Sequence, residues 1–260
     1  MTNHILVSDK DRVRTISFNR PDKKNALTRA MYTTIAEAME SADKDPGIRV
    51  IVFKGVPECF TSGNDMVDFQ IAATNPEGRE AAMAPVKRFL DALITTKTPM
   101  VSIVDGLAVG VGVTMLLHCD LVYCSKRASF QTPFTALGLV PEAASSQIMP
   151  AVMGHQQAAE LLLLSKKIDA KTALRLGFVT RVFKTVKLDK KAAAEIKTLS
   201  ELPPSSVRMA KALMRRAPES LTERMDVEGR EFSARLSSEE FIEAASAFMS
   251  RRKPDFSKFE

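Results

Sequence analysis

Two short alternating runs open the chain. Ile5-Leu-Val and Val13-Arg-Thr-Ile-Ser-Phe18 flank the polar turn Ser8-Asp-Lys-Asp-Arg12, and predict a β-hairpin. After the turn-rich loop Asn19 to Asn25, apolar residues recur at Leu27, Met31, Ile35, Met39 and Ala42 before Asp45-Pro-Gly47. That spacing predicts a helix, so the first unit reads β, β, α. Val50-Ile-Val-Phe53 and Met100-Val-Ser-Ile-Val104 are continuous apolar runs, the pattern of strands buried on both faces. Between them a helical stripe runs through Ala82, Val86, Phe89, Leu90 and Leu93, preceded by a segment from about 66 to 80 that reads as a mobile loop.

The second apolar run leads through the glycine-rich turn Gly106-Leu-Ala-Val-Gly-Val-Gly112 into a short helical stretch, Val113 to His118. Leu121 to Cys124 and Ala128 to Gln131 predict two more strands. Beyond about residue 143 the pattern becomes helical: Ala143–Met153, His155–Leu164, Ala170–Leu176, Lys190–Leu202, Ser206–Arg216, Leu221–Leu236 and Glu239–Arg251. There only Val179 to Phe183 reads as a strand. No repeat of fixed period is visible, and the whole reads as α/β with a winding topology. A boundary falls near 190 to 200, with Pro203-Pro204 opening a helical C-terminal region.

Composition narrows this picture without changing it. With 260 residues, 45% hydrophobic and 26% charged, the chain can bury a large core and has no signature of global disorder. Its three cysteines, Cys59, Cys119 and Cys124, form no CxxC pair, which speaks against a disulfide framework or a zinc site and suits a reducing compartment. Residues 1–10 hold no targeting pattern and the last residues no Ser-Lys-Leu type address, so a cytoplasmic location is expected. The net charge of +6 suits an anionic small molecule; scattered basic residues, two Tyr and no Trp argue against nucleic acid.

Chemistry concentrates in three places. Thr61-Ser-Gly-Asn-Asp65 and Gly106–Gly112 are glycine-bearing turns, each following a buried strand. Two backbone N–H groups from neighbouring turns make a minimal oxyanion hole, each donor contributing roughly 3 kcal/mol in a transition state; equally, both are turns that need glycine for positive φ. The glycine spacing G-x3-G-x-G in mid-chain does not match a dinucleotide fingerprint. Glu142 is the one acid in the apolar stretch Phe130 to Ser146. It reads either as a carboxylate whose pKa a hydrophobic pocket raises or as a first-turn acid of the helix after it. His118 and His155 stand at predicted helix ends, as capping or solvent-facing residues. Ser145 and Ser146 read as small packing residues, Asp65 as a turn cap, and Asp120 as an organiser of the loop before the next strand.

Five motifs then stand in register: Asn19-Arg-Pro-Asp-Lys-Lys-Asn-Ala-Leu27, Phe60-Thr-Ser-Gly-Asn-Asp-Met66, Val104 to Gly112, Cys119-Asp120 and Leu137-Gly-Leu-Val-Pro-Glu142. In order and spacing they resemble the enoyl-CoA hydratase/isomerase (crotonase) family over residues 5 to 255. The resemblance implies a crotonase-like spiral of ββα units over residues 1–195 carrying the acyl-CoA site, and a helical trimerisation region over 196–260. It implies an acyl-CoA thioester whose carbonyl oxygen lies between the amides of Asn64 and Val111. It also places Lys23, Lys24, Ala26, Ser62, Gly63, Asp65 and Gly110 along the CoA moiety, with Lys253 and Lys258 in reach of its phosphates. Met66, Phe69, Met83 and Phe89 either line an acyl channel or form an ordinary core stripe.

Hydratases of the family carry two water-positioning glutamates, and the matching positions here are Thr114 and Phe134. The sequence looks most like the peroxisomal-type Δ3,Δ2-enoyl-CoA isomerases of fatty-acid β-oxidation, in which one carboxylate, matching Glu142, moves a proton from C2 to C4. That resemblance implies an isomerase that uses no metal and no cofactor beyond the CoA of its substrate, acts as a trimer or a hexamer of two trimers, and binds neither nucleic acid nor membrane. Hydration, other enolate chemistry, or silent acyl-CoA binding without turnover are the alternatives.

Overall fold

The structure is a computed structural model, and it describes residues 4–74 and 78–259. The hairpin is β1 (Ile5–Lys10) paired antiparallel with β2 (Val13–Phe18), followed by α1 (Arg29–Lys44). Thr28 caps that helix, its hydroxyl accepting the Met31 amide, and Met31, Tyr32, Ile35, Met39 and Ala42 are buried along one face. Then come β3 (Val50–Lys54), β4 (Cys59–Thr61), α2 (Met66–Thr74) and α3 (Arg79–Thr95). A second winding gives β5 (Met100–Val104), β6 (Leu107–Val109), α4 (Val111–Thr114) and a 3-10 turn over Met115–His118. A third gives β7 (Leu121–Ser125), β8 (Ser129–Gln131), α5 (Ser145–Met153) and α6 (His155–Leu164). The chain closes through β9 (Ile168–Asp169), α7 (Ala170–Arg175), β10 (Arg181–Phe183), α8 (Leu188–Ser200), α9 (Pro204–Met214), α10 (Leu221–Leu236) and α11 (Glu239–Met249).

Each winding lays one strand in each of two sheets. The larger runs β1-β2-β3-β5-β7-β10 and the smaller β4-β6-β8-β9, parallel except for the β1–β2 and β8–β9 pairs. The apolar runs are explained by what covers them. Ile51, Phe53, Met100 and Val104 belong to the main core with α1 and α3, while Val50, Val52, Val101 and Ile103 pack with Leu188, Ala192 and Ile196 of α8 on the opposite face. Both faces are dry, so neither strand shows a polar alternation.

Four sequence expectations change. The segment from about 66 to 80 is not all loop, since Met66–Thr74 is helical, with residues 75–77 outside the described residues. The Gly106–Gly112 turn contains a strand, β6. Cys59–Thr61 is a strand leading into the first glycine turn. Ile168–Asp169 is a second strand beyond residue 143, in addition to Arg181–Phe183. All three added strands are two or three residues long, too short for periodicity to register, and are held by neighbours distant in sequence.

The C-terminal helices divide. α9 is tied to the core, where the buried Lys211 ammonium donates to the Thr98 carbonyl (2.7 Å) and pairs with Asp120 (2.9 Å). α10 buries none of its residues and leaves Leu221, Met225 and Phe232 exposed. No helix among the described residues is long and apolar enough to cross a membrane.

Candidate active site

The first turn is laced together by buried polar groups. Asn25, fully buried, donates from Nδ2 to the Cys59 (3.1 Å) and Phe60 (3.0 Å) carbonyls and accepts the Arg20 amide at 2.8 Å. The Thr61 hydroxyl donates to the Asn25 carbonyl (2.6 Å) and accepts the Gly63 amide (3.0 Å). Leu27 completes the turn: its N–H reaches the Gly63 carbonyl (2.8 Å) and its carbonyl takes the Asp65 N–H (2.9 Å). In such a parallel bridge the N–H of the residue between, Asn64, faces away from Leu27. Asp65 caps the start of α2 through the Val67 amide (2.9 Å), as the sequence suggests, and its other oxygen holds Arg20 at 2.5 Å.

The second turn abuts the first. Gly110, at φ +57°, precedes α4, and its carbonyl accepts the amides of Val113 (2.8 Å) and Thr114 (3.1 Å). Val111 is the first helical residue, so its N–H lacks an acceptor within the helix. A Cβ on Gly63, whose φ is +92°, would stand 2.9 Å from the Val109 carbonyl oxygen, and one on Gly112 would stand 2.4 Å from Thr61 Cγ2. The absence of side chains lets the two turns touch, which brings the Asn64 and Val111 segments side by side.

Glu142 reaches α4 from the loop before α5. The Thr114 hydroxyl, one helical turn beyond Val111, donates to Glu142 Oε1 in a short hydrogen bond. Oε2 is out of solvent reach and has no hydrogen-bond partner among the described residues. Burial raises the Glu142 pKa, and the Thr114 hydrogen bond opposes that rise. The Tyr32 hydroxyl, from α1, donates to Asn64 Oδ1 in another short bond. Its pKa is pushed well up, first by burial and then by the negative charge of Glu142, so Tyr32 is a neutral donor facing the same space. Two bonded pairs, Tyr32 with Asn64 and Thr114 with Glu142, are thus drawn from four separate elements or turns.

The loop carrying Glu142 is strained. Ala143 and Ala144 both adopt left-handed backbone, at φ +52° and +54°, a conformation that costs about 1–2 kcal/mol for each non-glycine residue. Helix α5 starts only at Ser145, so Glu142 is not a first-turn helix acid; it precedes the helix because two left-handed residues intervene. Ser145 is fully buried and does more than pack: its amide (3.0 Å) and hydroxyl (2.6 Å) both donate to the Glu142 carbonyl. His118 is neither exposed nor a helix cap. It is buried, and its Nε2 lies 2.8 Å from the Ala143 carbonyl. Asp120 does organise its loop, accepting the Met100 amide at 2.7 Å.

The remaining predicted residues separate. Lys23 and Lys24 are exposed, Lys23 ending a 3-10 turn and Lys24 following it in left-handed backbone. The Lys24 carbonyl accepts the Ser62 amide (2.9 Å), and the Ala26 carbonyl accepts Arg20 Nη1 (3.0 Å). Lys253 is paired with Glu201 (2.8 Å), and Lys258 lies over the Phe259 ring. Of the four candidate channel residues, Phe89 is fully buried against Tyr32 with ring centroids 5.3 Å apart, and so belongs to the core. Met83 borders a small cavity beside Tyr32 and Asn64, and Met66 is exposed. The Phe69 side chain lies outside the described residues. Sequence reasoning missed Tyr32 and the donor role of Thr114; a tyrosine hydroxyl beside a buried stripe was the available signal, since such a group seeks a partner.

The two interlocked sheets, with two touching glycine turns and a half-buried glutamate bonded to α4, define a crotonase-type spiral. Residues 8–258 match the family model described as enoyl-CoA hydratase/isomerase. The rat (Rattus norvegicus) protein named enoyl-CoA delta isomerase 2 is 40% identical over 250 residues, covering 95% of this chain; the chain spans 64% of that relative's length. The Mycobacterium leprae protein named "Probable enoyl-CoA hydratase echA8" is 33% identical over 254 residues, 97% of each. A solved structure from Magnetospirillum magneticum AMB-1, described in enoyl-CoA hydratase/carnithine racemase terms, superposes with a TM-score of 0.93 at 38% identity, covering 99% of this chain and 100% of its own. The chain belongs to the enoyl-CoA hydratase/isomerase family.

Proposed function

We propose that the protein is an acyl-CoA isomerase that converts a 3-enoyl-CoA to the 2-trans-enoyl-CoA. The observation that carries this reading is Glu142 itself, with Oε1 held by Thr114 and Oε2 buried and unpaired among the described residues. Oε2 takes the proton from C2, the electron pair moves into a dienolate whose negative charge lies on the thioester oxygen, and the same oxygen returns the proton to C4. The double bond then lies between C2 and C3, and no atom is gained or lost. The amides of Asn64 and Val111 receive the developing oxyanion, each donor supplying on the order of 10²–10³ in rate. A carboxylate whose pKa is raised by burial suits a base that must become an acid within one turnover.

Thr114 and Phe134 supply no second acid to activate water, which favours isomerisation over hydration. Lys23, Lys24, Ala26, Ser62, Gly63, Asp65 and Gly110 lie along the CoA moiety in this reading. The exposed apolar residues of α10 and α11, among them Phe232, Phe248 and Met249, suit burial against neighbouring copies in a trimer. Parallel assays of 3-enoyl-CoA isomerisation and crotonyl-CoA hydration test the reaction. Glu142→Gln is expected to lower isomerisation by at least about 10³-fold while still binding the thioester in calorimetry. Wild-type turnover by Glu142→Gln, or hydration faster than isomerisation in the parent, overturns the reading.

A further inference from the structure

We propose that His118 is a positioning residue for Glu142: its Nε2–H, donated to the Ala143 carbonyl, holds the left-handed pair Ala143–Ala144 in the conformation that keeps the carboxylate facing the two glycine turns. This rests on the reading of Glu142 as the shuttling base.

Four observations carry it. First, a carbonyl only accepts, so the 2.8 Å contact fixes the imidazole as the tautomer with hydrogen on Nε2. Second, two successive left-handed alanines persist only where surrounding contacts over-determine them. Thr114 holds the carboxylate and Ser145 holds the Glu142 carbonyl, but the Ala143 carbonyl, inside the strained pair, is held by His118. Third, the ring hangs from a fixed post. The His118 carbonyl accepts a short hydrogen bond from Arg215, at the end of α9, and Arg215 lies 3.8 Å from Asp120, whose carboxylate also pairs with Lys211 and takes the Met100 amide. Fourth, His118 is only 8% exposed; burial foremost, with the charge of Arg215 adding to it, depresses its pKa against the opposing bond to Ala143, which favours the neutral ring. The C-terminal helix α9 is thereby connected through one imidazole to the catalytic loop, although α9 itself touches no reacting atom.

The test is a set of His118 variants assayed for kcat and KM on a 3-enoyl-CoA. His118→Phe fills the space without a donor, and a carboxylate displaced by about 1 Å loses on the order of 10² in rate. Its kcat is expected to fall about 30- to 100-fold with KM within about threefold. His118→Gln, whose amide nitrogen reaches as far as Nε2, should recover kcat to within about fivefold of the parent, whereas the shorter His118→Asn should not. Wild-type kcat in His118→Phe overturns the inference. So do equal activities of the Gln and Asn variants, a comparison that remains available if His118→Phe fails to fold. Adding His118→Phe to Glu142→Gln should cost nothing further, because both act through one group. Full turnover by Glu142→Gln alone would overturn the base; an inactive Glu142→Gln beside a fully active His118→Phe overturns the positioning role only.

Discussion

The two sides of the site are built by different means. The amide side, Ser62–Asp65 against Val109–Gly112, is shaped by what is missing: Gly63 and Gly112 have no Cβ, and each would meet the opposing turn within 3 Å if they had one. The base side, Pro141–Ser145, has no glycine at all. It reaches left-handed backbone with Ala143 and Ala144 and is kept there by bonds from Thr114, His118 and Ser145. Amide donors must be rigid to be preorganised, and steric closure supplies that rigidity. In the proposed isomerisation a proton shuttle must address two carbons from one place, and hydrogen bonds that hold the Glu142 backbone and one oxygen leave its second oxygen free.

The comparison is broken most severely by Gly63→Ala. The new methyl group would stand 2.9 Å from the Val109 carbonyl oxygen, in backbone at φ +92° that alanine disfavours. The turns must separate, carrying the Asn64 and Val111 amides apart. We expect a stability loss of about 2–3 kcal/mol by chemical denaturation and a fall in kcat/KM of about 10²-fold. Unchanged kcat/KM in a folded Gly63→Ala protein would show that turn contact does not set the donor geometry. Gly110, by contrast, has nothing within 4 Å of the place a Cβ would take, so within the chain its glycine answers to its φ of +57° and not to a close contact.

The same contrast governs what the sequence makes legible. The hairpin, the helix over Leu27–Ala42 and the two buried strands follow from periodicity, because their neighbours cover whole faces. Strands β4, β6 and β9 do not, since two or three residues carry no period and depend on partners elsewhere in the chain. Helix α2 is hidden because the sequence Met66–Thr74 shows no single apolar stripe at helical spacing. Within the site, the glycines and Glu142 are visible as residue types out of keeping with their surroundings. Their helpers are not: Tyr32 meets Asn64 across 32 positions, and His118 meets Ala143 across 25. A polar group on an otherwise apolar helix shows only that a partner is needed, whereas the fold decides which partner it is.

A smaller effect is expected on the base side from Thr114→Val, which keeps the volume and deletes the donor to Glu142 Oε1. The Thr114 hydrogen bond lowers a pKa that burial raises, so its loss moves the Glu142 pKa further up. Below that pKa the carboxyl is protonated and cannot accept the C2 proton. The acidic limb of the kcat/KM profile should therefore shift to higher pH, with the two profiles converging in alkali. A limb that stays in place would remove Thr114 from the control of Glu142.

The smallest effect should come from Ala144→Gly. Ala144 is exposed and left-handed, so glycine relieves about 1 kcal/mol of backbone strain while adding roughly half of that back through the freer unfolded chain. A net stabilisation of about 0.5 kcal/mol is expected, too little to move Tm by more than about 2 °C in a chain of this size. The kcat should fall by less than about threefold, because Thr114, His118 and Ser145 still hold the loop on either side. If the loop instead depends on alanine's own restriction, the balance reverses and activity drops by about tenfold or more at unchanged Tm. That outcome would mean the base side, like the amide side, is shaped by backbone sterics and not by its hydrogen bonds.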